Sequence, residues 1–176
     1  SVGAVAALAS VVAALVSPYG LWAGLLAGLL AGVITGFING WLVSRFRILP
    51  FIATLAMLLA ARGTALILAK NTSVAVSYTS DFTILGQGDA FGIPIPAIIL
   101  AVAYIIGSIV LNFTRFGRHV LAVGGNEEAA RLMGLPVANI VLAVYVMSGA
   151  LAALAGTILA AQFGAGQPLE GIGWEL

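Results

Sequence analysis

Few of the 176 residues carry groups that could do chemistry, and those few are scattered. His119 is the one histidine and cysteine is absent, so neither a thiolate site nor a multi-histidine metal site can be assembled. Ser148, in the stretch MSGALAALAG, has a nucleophile's oxygen. Its candidate base would be His119, which lies in a polar stretch outside the apolar runs, a poor geometry for proton transfer. Ser148, Gly149 and Gly156 are better read as helix-packing residues. No glycine-rich loop followed by Lys is present to cradle a nucleotide's phosphates. An enzymatic reading therefore has no credible catalytic set. What remains is polar recognition. Thr35, Asn39, Thr54, Thr157 and Gln162 are single polar groups in or near apolar runs, and bonds to backbone or to neighbouring helices are their plainest role. Arg62 stands out, because a charge inside a span costs roughly 2.5–3.5 kcal/mol on insertion scales. It must find a carbonyl, a carboxylate or water, or snorkel toward the outer face. Gly63 beside it allows the helix to bend.

The setting of these groups is set by composition. The chain is 62% hydrophobic and 7% charged, against roughly 45–50% and about 25% in soluble domains. A globular surface cannot be built from so few polar side chains, so the chain belongs in lipid. A net charge of +1 offers no basic patch for nucleic acid. Five apolar segments stand out, at roughly 2–16, 20–43, 51–69, 95–113 and 138–163. A span needs about 20 apolar residues, and backbone groups in hydrocarbon must bond within their own segment, so each is expected to be a helix. The first segment is short, as a truncated helix would be. It follows Ser1 without the basic flank of a signal peptide. The expectation is a piece of a longer membrane protein, cut inside or just before its first span. The fold class is an all-α polytopic bundle of about five spans forming one domain over residues 1–176.

Orientation follows from where Lys and Arg sit. Arg45, Arg47, Arg115, Arg118 and Arg131 share one set of connections, while the other set holds Lys70 with Asp81, Asp89, Glu170 and Glu175. Residues 44–50 and the loop 114–137 are thus expected to be cytoplasmic, with the loop 71–94 and residues 164–176 outside. Tyr19 and Trp22 mark the outer end of the second span, Trp41 and Phe46 its inner end. Along that span Gly24, Gly28, Gly32, Gly36 and Gly40 recur at every fourth position. Small residues let helices approach closely in lipid. Four residues advance about 400°, so the stripe drifts by about 40° per step, which suits a right-handed crossing with a neighbour.

Between the last two spans lies VLAVGGNEEAARLMGLP, residues 120–136. Asn126 is a good N-cap, and Glu127 and Glu128 load the first helical turn with favourable negative charge. Gly134 can take a left-handed C-cap, and Pro136 stops continuation. Ala129, Ala130, Leu132 and Met133 offer a small apolar surface with Arg131 beside it. A helix this short is marginal alone, so the protein or a partner must hold it. Two acidic residues argue against a helix lying on anionic headgroups. A helix socketed in a cytoplasmic partner fits better.

Here the residues resemble a known family. EAARLMG, residues 128–134, resembles the EAA-x-x-x-G loop of permease subunits of bacterial ATP-binding-cassette importers. FIATLAMLLAARG, TRFGRHVLAVGGNEEAARLMGLPV and GTILAAQFGAGQPLEGIGWEL together resemble the ribose-type sugar permeases, over nearly all of residues 20–176. The broader loop pattern places Leu-Pro well beyond the glycine, whereas Leu135-Pro136 follows directly here, as in the sugar branch. The resemblance implies that Asn126, Glu127, Glu128, Ala129, Ala130, Arg131 and Gly134 couple to a separate ATPase subunit. ATP and Mg would sit on that partner, with no cofactor on this chain. It implies a periplasmic sugar-binding protein at the outer loop, a second permease subunit, and alternating access in the bacterial inner membrane. Sugar hydroxyls need matched donors and acceptors, and Asn39, Thr54, Arg62 and Gln162 are the candidates to line their route. Branched-chain amino-acid, autoinducer and nucleoside cargo, or a non-transporting assembly subunit, are the alternatives. Family members continue through further spans and a glycine-rich cytoplasmic loop, so this piece alone is not expected to transport.

Overall fold

The computed structural model describes residues 2–77 and 81–172. Among them are eight α-helices, five of which are long and apolar enough to cross a membrane. These five are α1 (Val2–Val16, carried on to Tyr19 by a 3-10 turn), α2 (Leu21–Phe46), α3 (Pro50–Leu68), α5 (Ile95–Phe113) and α8 (Val137–Phe163). The short helices are α4 (Ile84–Gln87), α6 (Arg115–Gly125) and α7 (Glu127–Leu132). The chain is a multi-pass, all-helical membrane bundle. Pro50 sits in the first turn of α3, where its missing N–H costs nothing. Gly164, left-handed at φ 68°, ends α8.

The shortest span is the centre of the bundle. Ala, Gly and Ser make up just over half of α1, and at these positions α2, α3 and α8 approach closely and bury most of the helix. Ala4, Leu8 and Val11 pack on Ala61, Ala65 and Ala69. Val2 lies beside Gly36 and Asn39, so α2 runs on past the start of α1 to Phe46. At the opposite extreme is α5, none of whose residues is buried.

The two sets of connections lie at opposite ends, termed outer and inner after the orientation that the arginines predict. At the outer end the Ser77 N–H donates to Ser17 Oγ (3.0 Å), and Gln87 Nε2 donates to the Gln162 carbonyl (3.0 Å). There too β1 (Val74–Ala75) pairs antiparallel with β4 (Ala165–Gly166), while β2 (Asp89–Ala90) and β3 (Ile93–Pro94) form a small hairpin. At the inner end residues 44–47 adjoin Arg131 and the start of α8.

Two features differ from the sequence-based expectation. Residues 115–125, expected as loop, form the helix α6. It starts because Thr114 caps it, its Oγ1 accepting the Gly117 N–H at 3.1 Å. Residues 165–171 do not stay outside but turn back along α1. A Cβ on Gly166 would lie 2.6 Å from the Ser10 carbonyl oxygen, and one on Gly171 2.8 Å from the Gly3 Cα. Ser10 and Gly3 are about 10 Å apart along a helix axis, so the segment descends toward the middle of the bundle. Non-helical backbone is tolerated at that depth because protein covers it. Glu175, counted above among the outer charges, lies outside the described residues.

Candidate transport and coupling surfaces

The glycine stripe of α2 changes neighbour as it drifts. Gly24 faces the Phe82 ring and the Ala13 carbonyl, and Gly28 faces Ala13 and Thr157. Gly32, Gly36 and Gly40 then lie directly on α8, against Gly149, Tyr145 and Leu142. A Cβ at Gly32 would overlap the Gly149 carbonyl, and one at Gly36 would stand 2.5 Å from the Tyr145 carbonyl oxygen. All five are buried.

The four candidates for a polar route are not brought together. Asn39 is buried on the α2–α8 seam, where its Oδ1 has no hydrogen-bond partner among the described residues. It borders a cavity of about 40 Å³ with Val2, Tyr145 and Ser148, room for one water-sized group. Gln162 is exposed at the outer end. Thr54 bonds back to the Phe51 carbonyl (3.2 Å) and Arg62 is half-buried, both on α3, whose buried face meets α1. Around Gly63, α3 continues unbroken. Thr35 and Thr157 bond carbonyls of their own helices, at 2.9 and 2.8 Å. The larger cavity, about 510 Å³, is lined by apolar residues of α5, α6 and α8, with Ser148 on its wall. His119 is not among the residues lining it.

One polar pair escaped sequence reading. The half-buried carboxyl of Glu170 lies near Ser10 of α1, whose Oγ donates to the Ala7 carbonyl (2.8 Å), and Glu170 Oε2 is buried without a hydrogen-bond partner among the described residues. The available signal was Ser10 itself, an isolated hydroxyl in an alanine helix.

At the inner end α7 is built by its caps. Asn126 Oδ1 accepts the Ala129 N–H (2.9 Å), and Glu127 Oε1 pairs with Arg131 Nη2 (3.0 Å) one turn on. The Gly134 N–H donates to the Arg131 carbonyl and the Leu135 N–H to that of Ala130, with Gly134 left-handed at φ 80°. This is the double closure that lets a helix stop abruptly. Ala130 is fully buried, whereas Leu132 and Met133 are 84% and 70% exposed. The exposed apolar surface of α7 is thus Leu132–Met133. Arg131 of α7, with Arg45 and Arg47 from the end of α2, borders a cleft of about 340 Å³.

Comparison with known proteins places the chain in a family. The whole of residues 1–176 matches the family described as branched-chain amino acid transport system / permease component. The chain belongs to that permease family. It is accordingly a transporter component and not an enzyme. Among its relatives is the L-arabinose transport system permease protein AraH of Escherichia coli (strain K12), 43% identical over 134 residues, covering 76% of this chain and 40% of the relative. The ribose import permease protein RbsC of Bacillus subtilis (strain 168) is 38% identical over 136 residues, covering 77% and 42%. The L-arabinose ABC transporter permease protein AraH of Azospirillum brasilense is 41% identical over 135 residues, covering 77% and 40%. The matched region spans about two-fifths of the length of these relatives. No solved structure matches the chain.

Proposed function

We propose that this permease chain contributes the translocation pathway of an ATP-driven importer of ribose- or arabinose-type sugars in the bacterial inner membrane. The observation that carries the reading is α7, closed at both ends by its own caps and presenting Leu132 and Met133 beyond the membrane helices. A rigid apolar knob of this kind suits a groove on a separate ATPase subunit, which would hold ATP and Mg. Closure of that subunit would push α7. The push passes to α8 through Leu135 and Pro136, and from α8 to α2 across the close glycine seam. Sugar must bind the inward- and outward-open states with different affinity, or it could not shift them. The outer hairpin, with Phe91 fully exposed at its tip, suits a periplasmic sugar-binding protein, and a second permease subunit would complete the pathway.

The family's description names branched-chain amino acids, while the relatives' names, arabinose and ribose permeases, favour sugar. A site-specific crosslink tests the coupling. Leu132→Cys would be introduced into the full-length protein in native membranes, where this stretch of chain has no other cysteine. A nucleotide-dependent crosslink to the ATPase supports the reading. Protection of the new thiol by lipid, with no crosslink, sinks it. Ala130, being buried, is the wrong place for that probe.

A further inference from the structure

Three of the chain's seven cationic side chains converge on one cleft at the inner end. Arg45 stands in the last turn of α2, Arg47 is the cap of that helix, and Arg131 arrives from α7, more than 80 residues on. Ser44 and Asn139 complete the polar wall. Arg131 is matched by Glu127, but Arg45 and Arg47 have no ion-pair partner among the described residues. Both are exposed.

The preference of arginine for the cytoplasmic side accounts for each of these residues separately. It does not account for their gathering around a cleft, where like charges repel. Arg47 takes the left-handed conformation in which many helices end, at φ 53° and ψ 32°, and so closes α2 at the edge of the cleft. An arrangement that is repulsive when empty becomes favourable when an anion enters. Guanidinium groups match carboxylates geometrically, two N–H donors to two oxygens. The Glu127 carboxylate already borders the adjoining cleft of about 260 Å³ with Arg47 and Arg131. A carboxylate therefore fits this neighbourhood.

We propose that the Arg45–Arg47–Arg131 cleft receives an acidic side chain, Asp or Glu, from the cytoplasmic ATPase subunit, beside the apolar docking of Leu132 and Met133. This rests on reading α7 as the coupling helix. The cleft is continuous with α7 through Arg131, so one partner surface would cover both. The salt-sensitive arginines would steer and orient the encounter, and the apolar tip would hold it.

The test uses the full-length transporter with its own ATPase subunit, in nanodiscs of neutral lipid and, in parallel, of lipid containing an anionic component. Affinity is measured against salt for the wild type, the Arg45→Glu/Arg47→Glu pair and the milder Arg45→Gln/Arg47→Gln pair. We expect at least about tenfold weaker association at low salt for the reversed pair, a flatter salt dependence for both, and rescue when one Asp or Glu of the ATPase is changed to Arg. Rescue by the swapped charge cannot come from misfolding. Unchanged affinity with the Leu132→Cys crosslink intact would overturn the cleft proposal and leave coupling standing. An effect seen solely with anionic lipid would overturn it in favour of a lipid phosphate. Loss of the crosslink in the wild-type background would overturn both.

Discussion

Gly32 of α2 and Gly149 of α8 face each other so closely that neither could carry a methyl group: a Cβ on either would run into the other's carbonyl oxygen. The obstacle on each side is backbone, which cannot rotate away as a side chain could. Gly32→Ala and Gly149→Ala should each destabilise the bundle by about 1–3 kcal/mol, the range for overpacked interiors. Thermal unfolding of the purified protein in detergent reads this directly. Two unshifted melting curves would refute the close seam.

Gly63 supplies the control. Nothing lies within 4 Å of a Cβ placed there, and its helix is continuous. Gly63→Ala should raise stability by about 0.5–1 kcal/mol through reduced backbone freedom in the unfolded chain. A loss of stability in the same melt would contradict the open surroundings of that position.

Asn126→Ala removes the hydrogen bond to the Ala129 N–H and should cost α7 about 1 kcal/mol of local stability. Amide exchange should quicken across residues 127–132 and leave α2 and α8 unchanged. Faster exchange throughout the bundle would mean that α7 is not an independent unit.

Phe91 is fully exposed and left-handed at φ 55°, at the tip of the β2–β3 hairpin. Phe91→Asp should leave the melting temperature unchanged and weaken docking of a periplasmic sugar-binding protein by about tenfold, as loss of an aromatic anchor does. Surface binding measurements on the full-length transporter check this, and undiminished binding would exclude the hairpin as a contact.

The spans were legible in the sequence because hydropathy over about 20 residues is a direct record of the lipid around them. The caps of α7 were legible because Asn126, Gly134 and Pro136 act locally. Burial was not. A six-residue helix such as α7 gives too few turns to tell which alanine faces inward, so Ala130 and the Leu132–Met133 tip looked equivalent. The brevity of α1 suggested a truncated span and gave no sign that its many small side chains put it at the centre. Glu170 was assigned to the outside by its charge, although it lies near Ser10 farther in. Residues 115–125 hid a helix because their mean hydropathy resembles that of a loop, while Thr114 was already positioned to start one.

Among the described residues, the ties from Ser17 to Ser77, Gln87 to Gln162 and β1 to β4 lie at the outer end, while Ser10 Oγ reaches the Gln167 carbonyl farther along α1 (3.5 Å). Toward the inner end α2 and α8 are joined instead by close contact, Gly36 and Gly40 lying against Tyr145 and Leu142. So tight a contact leaves no slack, and α8 could not be displaced without carrying α2 along.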